Sequence, residues 1–166
     1  YTLGRPLVAG LIVGIILGDI RSGIIIGAAI QVIYIALVTP GGTVSADVRA
    51  VSYIGIPLAI CAVNSLGLDP ATSQAQSMAA ALGAAVGTLG TVLFYGTATM
   101  NLIWQHIGWK AVEEGKFHRL YMVDMGLPWI SHLVCSFLPT VVITMAGAGM
   151  VDLMKAYMPM DGIAMK

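Results

Sequence analysis

The chain has 166 residues, 58% of them hydrophobic and 10% charged, with a formal net charge of +0 and a mean hydropathy of +0.89. Soluble domains carry about 25% charged residues, so one core cannot hide this much apolar surface and lipid must solvate part of it. Zero net charge argues against a nucleic-acid footprint. Cys61 and Cys135 sit in apolar runs without CxxC spacing and read as small hydrophobes, not as a redox or zinc pair.

The sequence starts at Tyr1 and stops after Pro159 to Lys166 without a polar tail, as expected of a piece of a longer protein. Arg5 before an apolar run imitates a signal peptide, but no small-residue cleavage site precedes a polar region. At about 1.5 Å per residue, a helix over 6–18 reaches only ~20 Å, short of the ~30 Å bilayer core. Asp19 and Arg21 interrupt. Residues 22–39 are apolar again, with Gln31 the strongly polar side chain. The breaker run Thr39-Pro40-Gly41-Gly42-Thr43 follows, then Asp47 and Arg49. Residues 50–68 are uncharged and can span, with Pro57 placed to kink a helix. Asp69 opens a polar stretch as a cap or turn residue. Residues 78–104 form the clearest span; a helix there of ~40 Å must tilt, bend or protrude. Residues 105–124 gather Lys110, Glu113, Glu114, Lys116, Arg119 and Asp124 and read as a charged cytoplasmic loop or interfacial helix, with Trp104 and Trp109 at headgroup level. A further span covers 125–151, and 151–166 is a short amphipathic tail or the start of another element.

The fold class is therefore all-α: a polytopic transmembrane bundle, one membrane-embedded domain over 1–166, with a re-entrant or broken-helix segment near the N-terminus. Glycines at four-residue spacing (Gly10, Gly14, Gly18; Gly23, Gly27; Gly83, Gly87) let helix backbones approach closely. The cations Lys110, Lys116 and Arg119 place 105–124 in the cytoplasm. Counting back puts Asp69 outside and Arg49 and Arg5 inside, whether 6–39 makes two short crossings or one re-entrant hairpin; the short first half favours the hairpin, whose tip would carry Arg21 into the membrane. A cation there is costly unless water or a partner reaches it.

Ionisable groups at membrane depth are candidates for function. Asp19, Arg21, Asp47 and Arg49 form two Asp-x-Arg pairs, and 19–27 echoes 47–55 at Asp, Arg, Ile and Gly. Internal duplication is one source of such an echo; interfacial anchoring is the plain alternative for the charges. The break over 39–43 leaves backbone groups unpaired, which membranes tolerate where they are buried in protein or line a wet cavity. A sugar needs carbonyls, amides, hydroxyls and a carboxylate, which 39–47 supplies; a surface turn is the alternative. His106 and His118 read as solvated. His132 lies in a span, as a satisfied bundle histidine or a proton group. No HExxH and no zinc spacing occurs, so neither metal nor catalytic site is assigned. Asn64 and Asn101 read as interhelical hydrogen-bonders.

The run Gly14-Ile-Ile-Leu-Gly18-Asp19-Ile-Arg-Ser-Gly23-Ile24-Ile25-Ile26-Gly27, ending at Gln31, resembles the signature of the mannose/fructose/sorbose family of phosphotransferase-system (PTS) IIC subunits, with N-acetylgalactosamine-type relatives. Gly14, Gly18, Asp19, Gly23, Ile24, Ile25, Gly27 and Gln31 match; Ala28 replaces a second glycine, and Ala29 and Ile30 also depart. The specific likeness covers roughly the first 60 residues; beyond them it rests on hydropathy and the cationic stretch. Compared with the family, an N-terminal apolar segment and C-terminal spans are missing, so transport by this chain alone is in doubt.

The resemblance implies a multi-pass subunit of the bacterial cytoplasmic membrane. It would pair with a IID membrane subunit and receive phosphate through phosphohistidines of soluble IIA and IIB proteins, with no phosphorylated residue or cofactor of its own. Thr39, Gly41, Gly42 and Asp47 are expected to contact the sugar, with Gln31 facing the same cavity. Asp19 and Arg21, with the signature glycines Gly14, Gly18, Gly23 and Gly27, take structural or gating roles. An oligomer in contact with lipid is expected, with 104–119 as a contact for IIB or IID. The rivals are a proton- or ion-coupled transporter using Asp47, Asp19 or His132, and a non-transporting membrane scaffold.

Overall fold

The computed structural model describes the backbone of residues 2–37 and 43–157. The chain is an all-α membrane protein: among the described residues every regular element is helical. It divides into two compact units, Tyr1–Gly90 with Ile143–Lys166, and Thr91–Val142. Each is taken by itself below.

The first unit opens with two short helices, α1 (Pro6–Leu17) and α2 (Ile20–Tyr34). Pro6 stands at the start of α1, where its fixed φ suits the first turn and its missing N–H costs nothing. Gly18, at φ +74°, ends the helix. Its N–H donates to the Ile15 carbonyl (3.3 Å) and that of Asp19 to the Gly14 carbonyl (2.8 Å), closing the last turn. Asp19 then caps α2, its Oδ1 accepting from the Ser22 amide at 3.0 Å. One glycine and one aspartate thus reverse the chain. The two helices close along a glycine seam: a Cβ on Gly10 would run into the Gly23 carbonyl, and one on Gly27 would lie 2.7 Å from the Pro6 carbonyl. Helices of 12 and 15 residues reach only ~18 and ~22 Å, short of the bilayer core.

The hairpin lies along α3 (Val48–Ser65), one of three helices among the described residues that are long and apolar enough to cross a membrane. Ser52 Oγ donates to the Gly4 carbonyl (3.0 Å) and Tyr53 OH to that of Leu3 (2.6 Å), fixing where α1 begins. Ile26, Ile30 and Tyr34 of α2 pack with Val51, Ile56, Ile60 and Val63 of α3. Ala75 and Ala79, from the start of α4 (Ser73–Glu113), close this core. A second cluster joins Ile54, Leu58 and Ala62 to Val86, with Ile143 packed against it.

The second unit holds the later half of α4 and the first part of α5 (117–157). Ser131 is fully buried, and its Oγ accepts from Trp104 Nε1 at 2.7 Å. Cys135 Sγ lies 3.6 Å from Met100 Sδ. Gly96 and Gly108 give α5 room, a Cβ on Gly108 falling 3.1 Å from Val123 Cγ1. Leu102, Ile103, Trp129, Val134 and Phe137 are exposed, which suits lipid and not water.

Three wide π turns share one cause. Val51–Gly55 precedes Pro57, Met122–Gly126 precedes Pro128, and Leu133–Phe137 precedes Pro139. A proline ring collides with the carbonyl four residues back and offers it no N–H. That carbonyl belongs to Tyr53, Asp124 and Cys135 in turn, each inside its wide turn. Widening the helix there relieves the clash without breaking it.

The charged stretch 105–124, expected as a loop or interfacial helix, is mostly continuous with its neighbours. α4 runs to Glu113 and the reversal is confined to Glu114–Lys116. Gly115, at φ +71°, is the reason: its N–H and that of Lys116 close on the Val112 and Ala111 carbonyls, as at Gly18 and again at Gly67, which ends α3.

Candidate functional site

Two polar clusters in the first unit hold the described candidates; Thr39, Gly41 and Gly42 lie outside the described residues. The first cluster is the hairpin tip. Arg21 Nη2 lies 3.1 Å from Asp69 Oδ1, with side chains 64% and 52% exposed. Asn64 Nδ2 donates to Asp19 Oδ2 at 3.0 Å. The tip therefore reaches the far end of α3 and the turn beyond it. The cation that counting charges placed at the hairpin tip thus has a carboxylate partner, Asp69. Asp69 is also the turn residue expected, its Oδ1 accepting from the Ala71 amide at 2.9 Å.

The Ser22 hydroxyl and amide hold the Asp19 carboxyl below the usual carboxylate range, helped by Asn64 and Arg21 and opposed by burial. The Ala71 amide does the same for Asp69, with Arg21 adding to it. Both are anionic at neutral pH. Both partners of the Arg21–Asp69 pair are largely exposed, and exposed ion pairs hold weakly.

The second cluster lines α4 at Gly83, Gly87 and Gly90. Asp47 caps the first turn of α3, its Oδ1 accepting from the Arg49 (2.9 Å) and Ala50 (3.3 Å) amides. The two Asp-x-Arg pairs are thus two helix starts. In each the aspartate is the cap and the arginine lies in the first turn, which gives the two aspartates of the echo between 19–27 and 47–55 one shared local role. The Asp47 N–H donates to the Gly87 carbonyl at 3.0 Å. Tyr34 is buried, its OH 3.4 Å from the Gly83 carbonyl, and a Cβ on Gly87 would lie 2.8 Å from that hydroxyl. Gln31 sits one turn before Tyr34 on α2. Its Oε1 is buried without a hydrogen-bond partner among the described residues. Such an acceptor costs about 1–3 kcal/mol unless a donor reaches it.

Sequence reasoning missed Tyr34, whose apolar surroundings gave no signal, and Gly90, which lies off the four-residue repeat. Asn64 is the interhelical bonder expected. Asn101 is not shown as one: its Oδ1 is buried without a partner among the described residues, and Trp104, one turn on, makes the interhelical bond. Among the described residues no three His, Cys, Asp or Glu side chains converge as a metal site.

The model of the family described as PTS system sorbose-specific IIC component matches residues 1–165. This chain belongs to that family. The sorbose-specific EIIC component of Klebsiella pneumoniae is 26% identical over 155 residues, 93% of this chain and 54% of the relative. The mannose-specific EIIC component of Escherichia coli K12 is 31% identical over 115 residues, 69% of this chain and 40% of the relative. The fructose permease IIC component of Bacillus subtilis is 29% identical over 99 residues, 60% and 34% of the two chains. The chain spans about half the length, or less, of these relatives. No solved structure gives a significant match.

The signature of this IIC chain now has a physical reading. Gly14, Gly23 and Gly27 lie on the seam of the hairpin, Gly18 makes its turn and Asp19 caps its second helix. Of the departures, Ile30 faces a different neighbour, α4, where a Cβ on Gly83 would meet its side chain at 3.2 Å.

Proposed function

We propose that this chain is part of the permease subunit of a phosphoenolpyruvate-dependent sugar phosphotransferase system, multi-pass in the bacterial cytoplasmic membrane. The family match over 1–165 carries this reading. The relatives' names point to a hexose, ketose or aldose, with an amino sugar as the further option. The subunit binds a neutral sugar outside and re-exposes it inside, where a sugar hydroxyl attacks the phosphoryl group on IIB. The added charge traps the product. A IID subunit completes the membrane part, in an oligomer.

Asp47, Gln31 and the segment with Thr39, Gly41 and Gly42 are the sugar contacts in this proposal. What supports it is an amide oxygen of Gln31, buried without a donor among the described residues, and a carboxylate fixed at the start of α3. Sugar hydroxyls donate to both. Asp19 and Arg21 clasp the hairpin tip, in a structural or gating role. The test is binding of labelled sorbose, fructose, mannose and N-acetylgalactosamine to the full-length protein in membranes, with Asp47→Asn and Gln31→Leu variants. Saturable binding of one sugar, weakened by both changes, is expected. Binding that neither change alters would overturn the site.

A further inference from the structure

Resting on that sugar reading, we propose that Gly90 is a positioning residue for the Asp47 carboxylate, with Gly87 as its companion. Three observations in the first unit converge. The Asp47 N–H is anchored on the Gly87 carbonyl at 3.0 Å. A Cβ on Gly90 would lie 3.0 Å from Asp47 Cβ, 3.8 Å from its Cγ and 2.6 Å from Ala50 Cβ. A Cβ on Gly87 would lie 2.7 Å from Val51 Cγ2. Carbon atoms rest at about 3.5–4.0 Å, so any side chain at Gly90 pushes the capping turn of α3 off α4.

The consequence follows from how Asp47 is held. Its Oδ1 is committed to the Arg49 and Ala50 amides, so the carboxyl plane is fixed by the turn and cannot swing independently. Moving the turn moves the whole carboxylate. A displacement near 1 Å is enough to spoil a hydrogen bond to a sugar hydroxyl. Gly90 therefore acts on the sugar only through Asp47. The glycine is required for the room it leaves, not for its backbone freedom, since its φ is that of an ordinary helix residue.

Two readouts test this in the full-length protein assembled with its membrane partner. The first needs no sugar: hydrogen exchange of the peptide covering 47–55. Gly90→Ala speeds exchange at the capped amides if it displaces the turn, and leaves it unchanged if it does not. The second is a double-mutant cycle on the sugar concentration giving half-maximal phosphorylation. Gly90→Ala and Asp47→Asn each raise it roughly tenfold, and the double variant is no worse than Asp47→Asn alone. Should Gly90→Ala fail to assemble, Ala50→Gly with Gly90→Ala removes the 2.6 Å clash and keeps the 3.0 Å push on Asp47; it still shows the weakening. Unchanged exchange, multiplicative effects in the double variant, or full recovery in the Ala50→Gly/Gly90→Ala variant overturns the proposal. Faster exchange with a silent Asp47→Asn overturns the sugar reading instead and leaves Gly90 as the support of the turn.

Discussion

Replacing Gly23 by alanine tests the hairpin seam. Elsewhere in a helix this change stabilises by about 1 kcal/mol, because glycine has more backbone freedom to lose. Here the added methyl would overlap the Gly10 carbonyl and lie 2.7 Å from Gly14 Cα and 3.0 Å from Gly14 N. The contacts are backbone on a facing helix, so no side chain can rotate away. Reaching a normal separation of about 3.5–4.0 Å requires α1 and α2 to part by roughly 1 Å along the seam. Over-packing of this kind costs about 1–3 kcal/mol, more than the propensity gain. Gly126→Ala is the control: its methyl meets only Met122 Cγ at 3.7 Å. In a domain of this size 1 kcal/mol moves the melting temperature by about 2–4 °C. Melting of the purified protein in lipid nanodiscs is therefore expected to fall for Gly23→Ala by several degrees and to hold or rise for Gly126→Ala. Equal behaviour of the two variants would refute the seam.

Arg21→Asp and Asp69→Arg each lower the melting temperature slightly, and the swapped pair recovers it; nanodisc melting of the four proteins measures it, and no recovery in the swapped pair would mean the two charges are not coupled. The folded-state shifts of Asp19 and Asp69 are downward, so the stability they contribute is present above the ordinary carboxylate range and is lost as pH falls through their lower folded values. Melting is expected to be flat in this respect from pH 7 to 5 and to drop below about pH 4, less steeply in Asp19→Asn. Trp104→Phe leaves Ser131 Oγ buried without its donor and costs about 1–3 kcal/mol; adding Ser131→Ala recovers part of it. A cost unchanged by the second substitution would mean the indole acts by packing alone.

Much of the architecture was legible because lipid imposes simple lengths. The short apolar run before Asp19 could not cross, and the glycine spacing announced a close helix pair. Asp69 as a turn residue and Asn64 as an interhelical bonder were readable from residue type. Arg21 was not: its partner lies 48 positions away, and counting charges places only the ends of spans. In 105–124, read as a charged loop or interfacial helix, the charges did not show where the chain turns; one left-handed glycine, Gly115, does that. Pro57 was readable as a kink; the structure absorbs Pro57, Pro128 and Pro139 in wide turns instead, which residue type alone does not choose over a sharp bend. In the candidate site, Asp47 carried a signal as a carboxylate among apolar runs. Tyr34 and Gly90 carried none, since their roles exist only once α2 and α3 lie against α4.

The most direct test is phosphoenolpyruvate-dependent phosphorylation of labelled sorbose, fructose, mannose and N-acetylgalactosamine by membranes holding the full-length protein with its IID and soluble partners. Phosphorylation of one sugar, dependent on phosphoenolpyruvate, indifferent to collapse of the proton gradient and lost in Asp47→Asn, is the predicted result. Uptake of free sugar that collapses with the gradient, from the same assembled membranes, would contradict the account.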